Sequence, residues 1–169
     1  MDNRDSIAGT VLPEQAVILL AEDRPDDVEL VERALKRAKV FNPVLIVRDG
    51  EEVLTYLDGC GKYEDRKLYP LPNVLLLDLK MPKLDGFEVL REIGKRPHLK
   101  AIRVLVLTSS EDIYDLHRAY QLGAHSFLVK PNDFEDFSNL MASLNAFWLG
   151  SNRLASTATP VTSTIPAAA

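Results

Sequence analysis

Four apolar residues, Val74-Leu75-Leu76-Leu77, run straight into Asp78, and Met81-Pro82 then turns the chain away. An unbroken apolar run of this length suits a strand covered on both faces, the condition of a parallel sheet. Such a strand has room for a charge only at its end. In open α/β sheets, ligands sit outside the carboxyl ends of the strands. Asp78 is therefore the first place to look for chemistry.

The same pattern recurs along the chain. An apolar run over residues 16–21 ends in Glu22-Asp23. Pro25-Asp26-Asp27 opens a helix, with proline preset for the first turn and acids matching the positive end of the dipole. Val28, Val31, Leu35 and Ala38 give that helix its apolar stripe. A second strand over residues 44–47 ends at Asp49-Gly50, and a short helix follows over residues 51–57. Asp85-Gly86-Phe87-Glu88 reads as a capping box that starts a helix reaching about Arg96. A fourth strand, residues 103–107, ends in Thr108-Ser109-Ser110, and a helix from about Asp112 to Leu122 stops at Gly123. The fifth strand, residues 126–129, ends in Lys130-Pro131, where a cis bond is accessible. Asn132 or Asp133 caps a last helix expected to continue to about Leu149. Five strands alternating with five helices predict a parallel sheet with helices on both faces. All carboxyl strand ends then share one edge.

Three segments break the pattern. Residues 1–15 have no periodicity and are expected to form a flexible lead. Residues 58–72 connect a helix to a strand through a longer loop than usual, either functional or slack. From Gly150 to Ala169 the chain turns to Ser, Thr, Ala and Pro, too poor in large apolar groups to order itself, and a disordered tail is expected. On the last helix, Phe134, Phe137, Met141, Leu144 and Trp148 form one stripe, widened by Leu140, Phe147 and Leu149. That stripe is either a covered face or a patch for association.

Composition narrows the classes. A formal net charge of -5 without a basic run argues against nonspecific nucleic-acid binding. The single cysteine, Cys60, permits no internal disulfide and no thiolate metal cluster. No apolar run approaches the ~20 residues of a membrane span, and the N-terminus lacks a signal core, so a cytoplasmic protein is expected. His98, His117 and His125 are scattered over different elements, without ligand spacing.

Four strand ends thus deliver Glu22 and Asp23, Asp78, Thr108, and Lys130 to one edge. Crowded carboxylates repel, and a divalent cation removes that penalty. An all-oxygen set points to a hard ion such as Mg²⁺. Lys130 and Thr108 add an ammonium and a hydroxyl, suited to phosphoryl oxygens. An aspartate can act as the nucleophile that forms an aspartyl phosphate.

Glu22-Asp23, Asp78 within Asp-Leu-Lys-Met-Pro, Thr108, and Lys130 within Leu-Val-Lys-Pro together resemble the receiver domain of two-component response regulators, over residues 16–149. The resemblance implies a flavodoxin-like (βα)5 fold with strand order 2-1-3-4-5. It implies that Asp78 accepts phosphate from a sensor histidine kinase, and that Glu22, Asp23, Asp78 and the Lys80 backbone carbonyl hold Mg²⁺. Thr108 and Lys130 would bind the phosphoryl oxygens, and Thr108 and Phe127 would act as the switch pair. The output surface would be the fourth helix, fifth strand and fifth helix. The 58–72 insertion, the Ala-Glu-Asp-Arg-Pro-Asp-Asp opening and Phe147-Trp148 resemble the stand-alone regulators of bacterial, notably cyanobacterial, phytochrome kinases. That subgroup implies a phytochrome partner and a homodimer.

Two rival readings share these features. A phosphohydrolase of the haloacid-dehalogenase type also uses a strand-end aspartate, but it needs an acid two positions on, where this chain has Lys80. A receiver-like scaffold that is never phosphorylated is the second. The expectation is a phosphoacceptor signalling protein rather than an enzyme.

Overall fold

A computed structural model describes residues 16–145. The expectations for residues 1–15, for Phe147, Trp148 and Leu149, and for residues 150–169 lie outside the described residues.

Among the described residues, five short strands form one sheet: β1 (Ile18–Ala21), β2 (Val44–Val47), β3 (Val74–Leu77), β4 (Arg103–Thr108) and β5 (Ser126–Val129). The order is β2-β1-β3-β4-β5 and every pairing is parallel, as expected for a flavodoxin-like receiver fold. Five helices intervene or follow: α1 (Pro25–Arg37), α2 (Gly50–Asp58), α3 (Gly86–Gly94), α4 (Ile113–Gln121) and α5 (Phe134–Leu144).

Strand alternation divides the core into two layers. Ile18, Leu20, Val74, Leu76, Leu105 and Leu107 face α1 and α5, where they meet Val31, Leu35, Phe137 and Met141. Leu19, Ala21, Leu75, Leu77, Val104 and Val106 face α2, α3 and α4, where they meet Val53, Tyr56, Val89 and Leu90. Burial on both faces explains why β1 and β3 carry no polar residue.

Short aspartates start most helices. Asp49, Asp112 and Asp133 each accept a backbone N–H of the first turn, at 2.8 Å. Asp85 and Glu88 complete the expected capping box, both bonds at 2.8 Å. α1 instead begins on Pro25 without a side-chain cap. Among the described residues every peptide bond is trans, so the cis option at Lys130-Pro131 is not used.

The 58–72 connection is not slack. It holds a 3-10 turn over Gly61–Tyr63 and closes on three tyrosines. The rings of Tyr56, Tyr63 and Tyr69 lie 4.9–6.2 Å apart. The Arg66 guanidinium donates to the carbonyls of Leu57 at 2.7 Å, Tyr56 at 2.8 Å and Tyr69 at 3.2 Å. Tyr56 Oη donates to the Pro70 carbonyl at 2.7 Å.

The α5 stripe is a covered face over the described residues. Phe137 and Met141 are buried, and Phe134, Leu140 and Leu144 pack against the same layer. Arg33 lies over the Phe134 ring at 5.0 Å and ties α5 to α1.

Candidate functional site

The strand order reverses between β1 and β3, which opens a crevice at their carboxyl ends. The ladder continues past the strands and fixes what stands there. Glu22 N–H donates to the Val47 carbonyl at 3.0 Å, Asp78 N–H to Ala21 at 3.1 Å, and Lys130 N–H to Thr108 at 2.7 Å. The backbone thus places an acid after β1, an acid after β3 and a lysine after β5 beside one another.

Two glycines let the neighbouring elements close on this edge. A Cβ at Gly86 would lie 2.6 Å from the Asp78 carbonyl oxygen and 2.8 Å from Leu79 Cα. A Cβ at Gly50 would lie 2.2 Å from the Leu84 carbonyl oxygen. The loop after Asp78 is therefore pinned between the starts of α2 and α3, and the Lys83–Asp49 ion pair at 2.8 Å holds it from outside.

The side chains converge. Lys130 Nζ lies 2.6 Å from Glu22 Oε2, 3.1 Å from Asp27 Oδ2 and 3.7 Å from Asp78 Oδ2. Glu22, Asp78 and Thr108 are buried polar residues. Burial pushes the Glu22 carboxyl up, and the Asp78 charge adds to the rise against the opposing pull of Lys130. Burial likewise raises Asp78, although Lys130 and the N–H groups of Lys80 and Leu79 hold it back. Burial alone would lower Lys130, but Glu22, Asp78 and Asp27 outweigh it and keep the ammonium charged. One cation thus faces more acid than it neutralises.

Glu22, Asp23 and Asp78 present oxygens within 4.8 Å of one another. Asp23 Oδ1 is buried and has no hydrogen-bond partner. A buried carboxylate oxygen without a donor is costly unless a cation meets it. The three acids therefore fit a divalent ion bound by oxygen alone.

The other predicted residues are placed as follows. The Lys80 side chain is exposed, and its N–H donates to Asp78 Oδ1 at 3.3 Å. Thr108 Oγ1 accepts from Ser110 N–H at 3.2 Å, and Ser110 Oγ donates to Asp115 Oδ2 at 2.6 Å. Phe127 pairs with Val106 across the sheet and is half-buried against the α2–α4 layer. None of the three histidines joins the site; His125 Nδ1 accepts from Val104 N–H at 3.1 Å. Cys60 is exposed.

Asp27 also joins the site, through Lys130, and its place in the sequence does not single it out. Its place in the first turn of α1 already explained an acid there. The available cue was its spacing, one turn beyond Asp23.

The sequence pattern of the response regulator receiver domain matches residues 18–142. Response regulator Rcp1 of Synechocystis sp. is 40% identical over 133 residues, which covers 79% of this chain and 88% of that protein. The crystal structure of the phosphorylated cyanobacterial phytochrome response regulator RcpA aligns with a TM-score of 0.74 at 35% identity, over 81% of this chain and 96% of that one. The crystal structure of the Mn(2+)-bound form of response regulator Rcp1 aligns with a TM-score of 0.71 at 38% identity, over 90% and 99%. The acid cluster, the strand order and these relatives lead to one conclusion: the chain belongs to the response regulator receiver domain family of two-component signalling proteins.

Proposed function

We propose that Asp78 is the phosphoacceptor of this receiver and that a sensor histidine kinase is its donor. The reading is carried by the buried Asp78 carboxylate, with Lys130 Nζ at 3.7 Å and the unpartnered Asp23 oxygen in the same cluster. An Asp78 oxygen attacks the phosphorus of a phosphohistidine in line. The phosphorus–nitrogen bond breaks, its electron pair stays on the imidazole, and an acyl phosphate forms on Asp78. Lys130 neutralises the charge that develops on the transferring oxygens, and the Thr108 hydroxyl donates to the oxygens of the product. Glu22, Asp23, Asp78 and the Lys80 carbonyl would hold Mg²⁺, which when bound supplies further charge neutralisation to those oxygens.

Thr108 and Phe127 form the switch pair. As Thr108 moves toward the new oxygens, Phe127 fills the space it leaves, and the α4–β5–α5 surface changes. That surface carries Ile113, Tyr114, Tyr120 and Val129, all exposed, which supports its use for a partner or a second copy of the chain. The proposed assembly is a homodimer without nucleic acid. The proposed donor is a phytochrome kinase, a reading supported by the likeness to RcpA. A cytoplasmic location accords with a kinase partner, and no helix among the described residues is long and apolar enough to cross a membrane.

We read the chain as a signalling protein without turnover of outside substrates, since Lys80 occupies the position where a phosphohydrolase would need an acid. The test is labelling by acetyl phosphate and by a red-light-sensing kinase, with Mg²⁺ present, read by intact mass. The parent chain should gain one phosphoryl group and Asp78→Asn none. Equal labelling of both, or hydrolysis of a generic phosphate ester, would overturn the reading.

A further inference from the structure

We propose that Asp27 is a positioning residue for Lys130 and sets the rate at which Asp78 is phosphorylated. The inference rests on the phosphoacceptor reading above. Lys130 reaches the site from β5, on the far side of the sheet from β1, and its long side chain is free to rotate unless held. Three carboxylates hold it here: Glu22, Asp27 and Asp78. Two of these, Glu22 and Asp78, also belong to the cluster that fits a divalent ion. Asp27 does not. Among the described residues it is the one carboxylate partner of Lys130 that cation binding leaves uncommitted.

The geometry gives this contact its consequence. Asp27 Oδ2 lies 3.1 Å from Lys130 Nζ, and the lysine side chain is 9% exposed, so the bond is charge-assisted and little screened. Asp27 stands on α1, whose buried Val28, Val31 and Leu35 lock it to the sheet. The aspartate is thus a fixed post rather than a mobile surface acid. It keeps the ammonium beside Asp78 whether or not Glu22 turns to a cation. Without it, Lys130 would sample orientations away from Asp78, and part of the charge neutralisation would be lost from the transfer step. The competing view is that Asp27 only favours the start of α1 through the helix dipole.

A double-mutant cycle separates the two. Labelling by acetyl phosphate with Mg²⁺ is timed over hours for the parent chain, Asp27→Ala, Lys130→Met and the double variant, after circular dichroism confirms each is folded. Asp27→Ala should slow labelling about tenfold, equivalent to about 1.4 kcal/mol of barrier. In the Lys130→Met background the same change should have no effect. Asp27→Ser, which keeps a good first-turn residue but is too short to reach Lys130, should be as slow as Asp27→Ala. The proposal is overturned if Asp27→Ala slows both backgrounds by the same factor, if it slows neither, or if Asp27→Ser restores the parent rate. Asp78→Asn runs alongside. Labelling of that variant sinks the phosphoacceptor reading, whereas its silence with a parent-like Asp27→Ala sinks only this inference.

Discussion

Two glycines of α3 should respond to alanine with opposite signs. Gly86 opens the helix against the loop that carries Asp78, and Gly94 closes it with nothing within 4 Å of an added Cβ. At Gly94 the change reduces backbone freedom in the unfolded chain without a clash. Gly94→Ala should stabilise by roughly 0.5–1 kcal/mol. At Gly86 the same gain is available, but the new Cβ meets the Asp78 carbonyl oxygen at 2.6 Å and Leu79 Cα at 2.8 Å. Ordinary contact begins at 3.4 Å, so one backbone segment must move by about 0.8 Å. Backbone cannot rotate aside as a side chain does, and overpacking of this kind costs about 1–3 kcal/mol. The net for Gly86→Ala is a loss of about 1–2 kcal/mol, which lowers Tm by several degrees in a chain of this size. A displacement near 1 Å at a reacting group costs on the order of a hundredfold in rate. Thermal melts and timed acetyl phosphate labelling of both variants provide the assay. A Gly86→Ala variant as stable and as quickly labelled as the parent would refute the packing argument, and so would matching melts for the two variants.

Two further predictions concern the 58–72 segment. Burial pushes the Glu52 carboxyl up, but hydrogen bonds from Lys62, Tyr63 Oη and the Arg48 N–H, all at 2.7 Å, outweigh it and hold the group at about 2 against an ordinary 4.5. A depressed carboxylate stabilises the fold above its unfolded pKa, and that contribution fades as pH falls from about 4.5 toward about 2. Glu52→Gln should therefore be clearly less stable than the parent at pH 7 in denaturant melts, with the gap narrowing at pH 3; a constant gap would contradict the assignment. Arg66→Ala removes the donor to three carbonyls and should cost about 2 kcal/mol or more, with early proteolytic cleavage inside residues 58–72. Parent-like protease resistance would mean the segment is held by the tyrosines alone.

What the sequence makes legible follows from period and position. Fully buried strands must be apolar throughout, so β1 and β3 announce themselves, and their first charged residues mark the functional edge. Short aspartates locate helix starts because their carboxylates, like the side chains of Asn and Ser, reach the first-turn N–H groups. The parts that escape are those where one residue type serves two ends. Asp27 looks like a dipole-matching acid, and only the fold brings Lys130, distant in the chain, to within 3.1 Å of it. Arg66 looks like one charge in a charged run, yet its partners are backbone carbonyls, which sequence cannot display. The three tyrosines come from α2, the 3-10 turn and the loop beyond, without a common period. The α5 stripe is likewise ambiguous until α1 is seen beside it, because periodicity gives a face but not its occupant.

The central claim is that phosphate arrives on Asp78 itself. An acyl phosphate on an aspartate is reduced by borohydride to homoserine, a change that peptide mass spectrometry assigns to a single position. After labelling with acetyl phosphate and Mg²⁺, homoserine should appear at position 78 and at no other carboxylate of the cluster. Homoserine at position 23 or 27 instead, 5-hydroxynorvaline (the alcohol that a glutamyl phosphate would give) at Glu22, or a label that resists reduction, would contradict the account.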